Sequence, residues 1–339
     1  MNDMTMQRIA VVGAGSWGTA LANLLACKGY DVDLWAYEPE VKAAIEQQRE
    51  NTVFLPGIPL SERICPTNDL VAAVAGKSLV VMVVPSHVMR VTAANMATAL
   101  APDTIVVSAT KGVENDTFCL MSEILEQTLP AGSQQPIAAL SGPSFAAEVA
   151  RLMPTLITVA SRSSDAAAVA QQVFATPHFR VYTNDDLIGV QLGGSMKNYI
   201  AIAAGIVDGA KIGLNIRAAL ITRGLAEMRR LGVKMGANPH TFSGLSGLGD
   251  LVLTCTGDLS RNHTVGVKIG QGMKVREILD GMRSVAEGVK TAHSVYHLSR
   301  KIGVEMPICD SVYQMLFEDA DPRDALNQLM TRRLKDELE

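Results

Sequence analysis

The chain has 339 residues, which is long enough for two domains that each bury a hydrophobic core. Hydrophobic residues make up 48% of it and charged residues 19%, a composition that excludes an intrinsically disordered protein. The formal net charge of −4 argues against general nucleic-acid binding, so any bound anion needs locally placed cations. Five scattered cysteines without a CxxC pair indicate reduced thiols, and we expect a cytoplasmic protein.

The first half of the chain alternates β-branched runs with helical patterns, which is typical of a parallel sheet with crossover helices. The predicted strands cover residues 8–12, 31–37, 78–84, 104–110, 136–140, 155–160 and 179–183. The predicted helices lie near residues 16–28, 39–50, 86–100, 117–128, 144–151 and 164–174. Residues 51–69 contain prolines and a glycine and predict a long loop, which is often a functional feature.

An uncharged stretch runs from Ile9 to Ala26 and is followed by Cys27. Its length approaches that of a membrane span, and its last residues resemble a lipoprotein signal. Three glycines and three polar residues interrupt it in a pattern that suits a strand, a tight turn and a helix. No other segment stays uncharged long enough to cross a bilayer, so we expect no stable membrane insertion.

The strand signals stop beyond about Gly189, and the rest of the chain is rich in Ala, Leu, Ile and Met at helical spacing. Residues 217–236 show the clearest amphipathic helix, which we expect to end at Gly232. Strands followed by helices predict an α/β domain and then an all-α domain. We therefore expect a Rossmann-like, doubly wound parallel sheet in residues 1–189 and an all-helical domain in residues 190–339.

A glycine-rich turn follows the first predicted strand, with Gly13, Gly15 and Gly18 in the pattern G-x-G-x-x-G. The first glycine permits a tight turn, the second lets the backbone approach a pyrophosphate, and the third lets the helix pack on the strand. The free N–H groups at the start of the helix would face the phosphates. A purely structural turn is the alternative, but the strand and helix around it favour a dinucleotide, NADPH or NADH.

The end of the second predicted strand bears on the choice between these two cofactors. A carboxylate there binds the ribose hydroxyls of NAD, whereas an arginine suits the phosphate of NADP. The chain has Tyr37 and Glu38 with no adjacent arginine, which favours NAD. Because Pro39 follows, Glu38 is equally compatible with a solvated acid in the first turn of a helix.

Polar residues follow three of the predicted strands, at the edge where an open parallel sheet binds its ligands. These stretches are VPSH at 84–87, ATKGVE at 109–114 and SGPSFAAE at 141–148. Lys111 is placed to reach a bound anion, and the helix that starts near Ser144 offers N–H groups to a second one. Taken alone, each stretch is better explained as ordinary turn chemistry.

The helical half contains three further stretches that combine glycine with functional residue types. They are GGSMKN at 193–198, GLSGLGDLVLTC at 244–255 and SRNHTVG at 260–266. Glycines free the backbone around Asp250, while Ser260, Arg261 and Asn262 form a compact group of hydrogen-bond donors. Helix capping by Asp250 and Ser260 is the structural alternative.

Lys197 stands at the start of an apolar helical pattern, where a lysine is unfavourable if buried and has no evident use if it faces water. Burial near other cations would lower the pKa of its ammonium toward neutrality, which suits a proton donor. The alternative is a lysine near a helix end that extends to solvent. We expect His87, His263, His293 and His297 to be structural, and we expect no metal, since no histidine–carboxylate cluster has metal spacing.

In this order along the chain, the stretches resemble one family, the bacterial NAD(P)-dependent glycerol-3-phosphate dehydrogenases. The resemblance rests on GAGSWGTALA, FLPGIPL, VPSH, ATKG, SGPSFA, GVQLGGSMKNYIAI, GLGDLVLTCTGDLSRN and VAEG, which extend from residue 13 to residue 288. GLGDLVLTC followed by SRN is highly specific, whereas looser relatives share only the N-terminal fold and a lysine–asparagine pair.

The resemblance implies the reversible reduction of dihydroxyacetone phosphate by NAD(P)H to sn-glycerol 3-phosphate, a precursor of glycerophospholipids. It implies a homodimer and makes the helical domain, residues 190–339, the substrate-binding and catalytic one. It also makes Lys197 the proton donor to, or acceptor from, the C2 oxygen, with Asp250 steadying that lysine. The implied substrate positions are Lys111, Gly142, Ser144, Lys197, Asp250, Ser260, Arg261 and Asn262. With the glycine-rich turn, the cofactor positions are Gly13, Gly15, Ser16, Trp17, Gly18, Tyr37, Lys111, Ala146, Arg261, Val285 and Glu287.

Two other functions stay open on the residues alone. Another two-domain dehydrogenase, acting on a hydroxy acid or on 6-phosphogluconate, would recognise a carboxylate and leaves GLGDLVLTC and SRN unexplained. A regulatory protein that binds NAD(P)H without turnover would show no oxidation of the cofactor with any triose phosphate. The residue at the position of Tyr37 varies among relatives, so the preference for NADPH or NADH is also open.

Overall fold

The computed structural model describes residues 8–130, 135–282, 287–334, 336 and 337. Within them, the N-terminal half is built on one sheet of eight strands. The strands are β1 (Arg8–Val12), β2 (Asp31–Trp35), β3 (Ile64–Thr67), β4 (Leu79–Met82), β5 (Ile105–Ser108), β6 (Ile137–Ser141), β7 (Thr155–Ser161) and β8 (Phe179–Asn184). Their order is β3-β2-β1-β4-β5-β6-β7-β8, with every neighbouring pair parallel except β6 and β7. This mostly parallel, doubly wound sheet confirms the predicted Rossmann-like fold.

The core of this half lies in two layers, one on each face of the sheet. The helices around the sheet are α1 (Ser16–Lys28), α2 (Pro39–Gln48), α3 (Leu70–Val74), α4 (Met89–Met96), α5 (Met121–Thr128), α6 (Ala146–Ala150) and α7 (Ser164–Phe174). In β1, Ile9 and Val11 belong to the cluster with α1, α2 and α7, while Ala10 and Val12 belong to the cluster with α3, α4 and α5. Alternate residues of a strand point to opposite faces, so the four residues of β1 that follow Arg8 must all be apolar. The uncharged N-terminal stretch is therefore β1, its turn and α1.

Two features of the sheet differ from the expectation. Ile64–Thr67 forms β3 inside the predicted loop 51–69, and Pro66 is tolerated there because β3 is an edge strand. β7 runs antiparallel to β6 because the connection between them holds only the five-residue helix α6, which is too short to carry the chain back for a parallel strand.

The C-terminal part is helical in its described residues, as predicted. Its helices are α8 (Leu187–Gly209), α9 (Leu214–Lys234), α10 (Asp250–Thr256), α11 (Arg261–Gly270), α12 (Val275–Asp280), α13 (Glu287–Ile302), α14 (Pro307–Phe317) and α15 (Pro322–Met330). α8 is buried along nearly its whole length, and α9, α10, α11 and α13 pack around it. None of the helices formed by the described residues is long and apolar enough to cross a membrane.

The predicted end of the amphipathic helix at Gly232 is wrong, because α9 continues to Lys234. Gly232 is a packing position instead: a Cβ there would lie 2.2 Å from Cζ of Phe242.

The proposed division of the chain after residue 189 stays a prediction; that residue lies in the first turn of α8.

α8 and α11 approach each other closely because glycines line their contact. A Cβ on Gly205 would lie 2.1 Å from the carbonyl oxygen of His263, and a Cβ on Gly266 would lie 2.0 Å from that of Ile202. Gly209 and Gly270 make equivalent backbone contacts one turn further along. Glycine at these positions therefore fixes the distance between α8, which carries Lys197, and α11, which begins with Arg261.

We expect Gly266→Ala to lower the free energy of unfolding by about 1–3 kcal/mol, because a methyl group there overlaps backbone atoms that cannot move independently. Gly281→Ala is the matched control, since the nearest atom to a Cβ at Gly281 is 3.5 Å away. Urea denaturation of both variants measures the difference. Equal stability of the two variants would show that the helices separate without cost.

Candidate active site

Three charged side chains from distant parts of the chain converge beyond the carboxyl ends of the strands. Lys111 lies in the loop after β5, Lys197 in the middle of α8, and Asp250 at the start of α10. The Lys111 ammonium donates to Asp250 Oδ2 at 2.7 Å, and the Lys197 ammonium donates to Asp250 Oδ1. Asp250 has no exposed surface, so one buried carboxylate bridges two lysines.

Lys197 lies well inside α8 rather than at a helix start, because the helix begins at Leu187. The residue is 7% exposed, which rules out the alternative of a side chain that extends to solvent. Burial lowers the pKa of the Lys197 ammonium to about 7, and Lys111 lowers it as well, while Asp250 acts in the opposite direction. A lysine with a pKa near neutrality can both give and take a proton at physiological pH.

Glycines bring α8 against the turn that precedes Asp250. A Cβ on Gly193 would lie 2.4 Å from the carbonyl oxygen of Ser246, in the π-helical turn Leu245–Gly249. A Cβ on Gly194 would lie 2.2 Å from Ser141 Oγ at the end of β6. The glycine-rich sequence before Lys197 thus lets one helix contact both the sheet and the Asp250 turn.

Thr254 is a site residue that the sequence analysis missed. Lys197 Nζ donates to Thr254 Oγ1 at 2.8 Å, and that hydroxyl donates in turn to the Asp250 carbonyl oxygen at 2.6 Å. The spacing offered a signal, because residues four apart on a helix lie on the same face, so Thr254 had to stand beside Asp250. Asp250 itself is not a cap: Gly249 occupies the N-cap position of α10.

The start of α11 is joined to α8 and α13 by side-chain amides. Asn262 Nδ2 donates to Asn198 Oδ1 at 3.0 Å, and Asn262 Oδ1 accepts from the Gly288 N–H at 3.0 Å. Asn198, which follows Lys197, was also missed as a site residue. Ser260 caps α11 by accepting from the His263 N–H at 3.2 Å, as its structural alternative predicted. Arg261 is exposed and forms no salt bridge within the described residues.

The loop after β6 lies next to the two lysines. Lys111 Nζ is 3.5 Å from the Gly142 carbonyl oxygen, which also accepts from Ser144 Oγ at 2.9 Å. Gly142 has a φ of +147°, a backbone conformation that favours glycine. Ala146 opens the short helix α6 and is partly buried. Gly142, Ser144 and Lys111 are therefore brought together.

The glycine-rich turn between β1 and α1 has the shape that a dinucleotide needs. Gly13 has a φ of +114°, and a Cβ on Gly18 would lie 1.8 Å from the Gly13 carbonyl oxygen, so the first and third glycines serve turn and packing. No atom lies within 4 Å of a Cβ built on Gly15, which leaves the surface of the turn open. Trp17 carries a buried indole N–H without a hydrogen-bond partner, and Ser16 begins α1. These residues fit a phosphate-bearing cofactor.

Other predicted cofactor positions are spread around the turn. Tyr37 lies beyond β2 and is 77% exposed, while Glu38 is the N-cap residue of α2 without a capping side-chain bond. Glu287 is half-buried beside Ser86; its partial burial raises the pKa of its carboxyl group, whereas the Ser86 hydrogen bonds lower it. Val285 lies outside the described residues.

The histidine nearest the specific motifs has a structural partner. His263 Nε2 lies 2.8 Å from Asp208 Oδ2, which also accepts from Arg217 at 2.9 Å. Across the described ranges, no three His, Cys, Asp or Glu residues are grouped in a way that could hold a metal ion.

Comparisons with known proteins show the family of the chain. The sequence model for the N-terminus of NAD-dependent glycerol-3-phosphate dehydrogenase matches residues 8–167, and the model for its C-terminus matches residues 186–327. The chain belongs to the NAD-dependent glycerol-3-phosphate dehydrogenase family. The family reaction is the reversible reduction of dihydroxyacetone phosphate with NAD(P)H, so the predicted enzyme class, reaction and cofactor class are confirmed.

Individual members of the family match over their full length. The chain is 57% identical to glycerol-3-phosphate dehydrogenase (NAD(P)+) of Syntrophobacter fumaroxidans, covering 98% of this chain and 97% of that protein. It is 58% identical to the enzyme of the same name from Citrifermentans bemidjiense, covering 98% and 99%. A crystal structure of glycerol-3-phosphate dehydrogenase from Coxiella burnetii superimposes with a TM-score of 0.92 at 41% identity, covering 96% and 99%.

Proposed function

We propose that Lys197 is the proton donor when this chain reduces dihydroxyacetone phosphate to sn-glycerol 3-phosphate. The observation that carries the proposal is the buried Lys197 ammonium, with a pKa of about 7, held by Asp250 and Thr254. The bound nicotinamide supplies the hydride. As the C2 carbonyl accepts it, negative charge develops on the oxygen, and an ammonium group at hand neutralises that charge by giving its proton. In the reverse direction neutral Lys197 accepts the proton of the C2 hydroxyl.

Asp250 and Thr254 have the role of orienting Lys197. Each bonds the ammonium from one side, which leaves one of its three protons for the substrate. Asp250 also holds Lys111, so the two cations stay at a fixed separation. This arrangement supports the assignment of Lys197 to the reacting oxygen and of Lys111 to a charged part of the substrate.

The substrate phosphate needs cations because the protein as a whole is acidic. Arg261 offers a planar guanidinium that can bind two phosphate oxygens, and Lys111 offers a point charge. The exposure of Arg261 and its lack of a salt bridge with the described residues support a ligand-binding role. We assign the rest of the substrate site to Gly142, Ser144, Ser260 and Asn262, of which Ser260 also caps α11.

We assign the cofactor site to Gly13, Gly15, Ser16, Trp17, Gly18, Tyr37, Lys111, Ala146, Arg261, Val285 and Glu287. The open surface over Gly15 and the free indole N–H of Trp17 support this assignment. We further propose that the protein is a cytoplasmic homodimer whose product supplies glycerophospholipid synthesis. Full-length similarity to glycerol-3-phosphate dehydrogenases supports these points.

The reaction is tested by the loss of nicotinamide absorbance when purified protein meets dihydroxyacetone phosphate. NADPH and NADH are run in parallel, which also measures the preference that Tyr37 and Glu38 leave open. Cofactor consumption with glycerol 3-phosphate as product is the expected result. Cofactor that binds but is not consumed with any triose phosphate would leave a sensor as the function.

The pH dependence of the two directions follows from the pKa of Lys197. Reduction uses protonated Lys197, so kcat/KM for dihydroxyacetone phosphate should fall as the pH rises through about 7. Oxidation uses neutral Lys197, so kcat/KM for glycerol 3-phosphate should rise through the same pH. Initial rates in both directions, in buffers of constant ionic strength, measure the two limbs. They are taken between about pH 5 and about pH 9, because these ends lie about two units from the pKa. Limbs of the same sign in both directions would contradict the assignment.

A further inference from the structure

The two halves of the chain meet at the edge of the sheet through a hydrogen-bonded pair, Ser86 and Glu287. Ser86 begins the short 3₁₀ helix Ser86–Val88 that follows β4, and Glu287 is the first residue of α13. β4 is the neighbour of β1, and the strand order reverses between these two strands. Ser86 therefore stands at the crevice where doubly wound sheets bind their ligands, opposite the glycine-rich turn after β1.

Both oxygens of the Glu287 carboxylate are bonded by Ser86. The Ser86 hydroxyl donates to Oε2 at 2.8 Å, and the Ser86 N–H donates to Oε1 at 3.4 Å. Ser86 is 3% exposed, so water does not compete for these bonds. Hydrogen bonds to an ionised carboxylate are about twice as strong as neutral ones, and the pair therefore fixes the carboxylate in one orientation.

Gly112 encloses the pair from the side of β5. It has a φ of +149°, and a Cβ there would lie 2.5 Å from Ser86 Cβ and 3.5 Å from Glu287 Oε2. The Gly112 N–H donates to Ser195 Oγ on α8 at 2.9 Å. The loop that carries Lys111 is thus packed between the Ser86–Glu287 pair and the helix that carries Lys197.

We infer that Ser86 is a positioning residue of the cofactor site, which holds the Glu287 carboxylate of the helical half at the crevice between β1 and β4. The inference deepens the proposed function, because it takes from it the contact of Glu287 with the cofactor. A carboxylate held at this place accepts hydrogen bonds from hydroxyl groups, and a nucleotide offers those of its ribose. The cations Lys290 and Arg261 lie near Glu287, and Ser86 keeps the carboxylate from turning to them.

The test measures the Kd for NADPH directly, by the change in nicotinamide fluorescence on binding to the full-length protein. Ser86→Ala should raise the Kd about tenfold, the size expected for the loss of one hydrogen bond to a charged group. Ser86→Ala combined with Glu287→Gln should bind no more weakly than Glu287→Gln alone, because Ser86 acts only through that carboxylate. A wild-type Kd in Ser86→Ala, or effects of the two substitutions that multiply, would overturn the inference.

Two further variants separate positioning from general damage. Ser299→Ala is the matched control, since Ser299 is 1% exposed and lies on α13, the helix that begins with Glu287. Its hydroxyl donates to the Tyr296 carbonyl oxygen within that helix. This variant should keep the wild-type Kd, and a Kd raised as much as in Ser86→Ala would overturn the inference. Ser86→Cys replaces Ser86→Ala in the test if the alanine variant does not fold. Cysteine keeps the approximate size of the side chain but is a weak hydrogen-bond donor, so the Kd for NADPH should be raised. An unchanged Kd in this variant would overturn the inference.

The pH dependence of the Kd adds an observable that damage to packing does not move. Burial raises the pKa of the Glu287 carboxyl group, and the Ser86 hydrogen bonds lower it; Lys290 and Arg261 also lower it. His87, next to Ser86, has a pKa that burial and Lys290 lower. Removing the Ser86 hydroxyl raises the pKa of Glu287 further, so NADPH affinity should be lost at a higher pH in Ser86→Ala than in the wild type. An acid limb at the same pH in both proteins would overturn the inference.

The wild-type turnover of dihydroxyacetone phosphate, measured separately, decides the proposed function whatever the binding results.

Discussion

Lys197→Met should lower kcat for dihydroxyacetone phosphate about a thousandfold while leaving the Kd for NADPH unchanged. Methionine fits a buried, unbranched position but carries no proton, so the substitution removes general acid–base catalysis, which contributes between about a hundredfold and ten-thousandfold. Stopped-flow absorbance at saturating NADPH measures the chemical step, and cofactor fluorescence measures binding. A variant that keeps a tenth or more of kcat would show that another group, with Lys111 the nearest candidate, delivers the proton.

Lys77→Met is the matched control for this experiment. Lys77 has the same exposure as Lys197, 7%, and is also paired with an aspartate, Asp33 of β2. It lies just before β4, at the amino ends of the strands, whereas the site lies beyond their carboxyl ends. The control should lose stability and keep kcat. Lys197→Ala adds a second check, because a small alkylammonium ion in the buffer can enter the cavity left by the side chain and restore part of the activity. Rescue that follows the pKa of the added amine would identify proton transfer as the missing step.

The sequence predicts the fold well because its signals are local. Runs such as residues 9–12 and 105–107 are apolar on both faces. The turn at Gly13 needs a positive φ and a close helix, so strand, turn and helix follow from a few neighbouring residues. β3 was not predicted because its four residues include Pro66, which a sheet accepts only in an edge strand. Whether a strand lies at an edge depends on the whole sheet, not on its own residues. The end of α9 was wrong because Gly232 serves the distant Phe242 ring.

The charged residues of the candidate site were named from the sequence, but most of the contacts among them were not. The family resemblance already implied that Asp250 steadies Lys197, and the folded chain adds that the same carboxylate also holds Lys111. Lys111 and Lys197 are 139 and 53 residues from Asp250 in the sequence, so no helix or strand periodicity could predict these two contacts. Thr254 was missed since its role depends on an i, i+4 relation to Asp250 within a helix whose start was not predicted. Long-range electrostatics is therefore the part that the structure adds.

Asp250→Asn should reduce kcat for dihydroxyacetone phosphate at pH 7 at least a hundredfold and move the pH limb of the reduction to lower pH. The Asp250 charge raises the pKa of Lys197, whereas burial and Lys111 lower it, so removing the charge leaves the two lowering effects unopposed. At pH 7 most Lys197 is then neutral and has no proton to give. At a pH above the pKa, each unit by which the pKa falls lowers the protonated fraction of Lys197 about tenfold.

The pH profile distinguishes this electrostatic role from a loss of geometry. Asparagine keeps the shape and one acceptor oxygen, so lowering the pH should recover much of kcat in Asp250→Asn if the charge is what matters. Asp208→Asn is the matched control. Asp208 lies on α8 and accepts from Arg217 of α9 and His263 of α11, but it does not contact the two lysines. The pH limb of this variant should therefore coincide with that of the wild type. A limb in Asp250→Asn that coincides with the wild-type limb would show that the carboxylate holds the substrate without governing the proton on Lys197. Because both lysines are bound to the same carboxylate, this one substitution tests the coupling on which the mechanism depends.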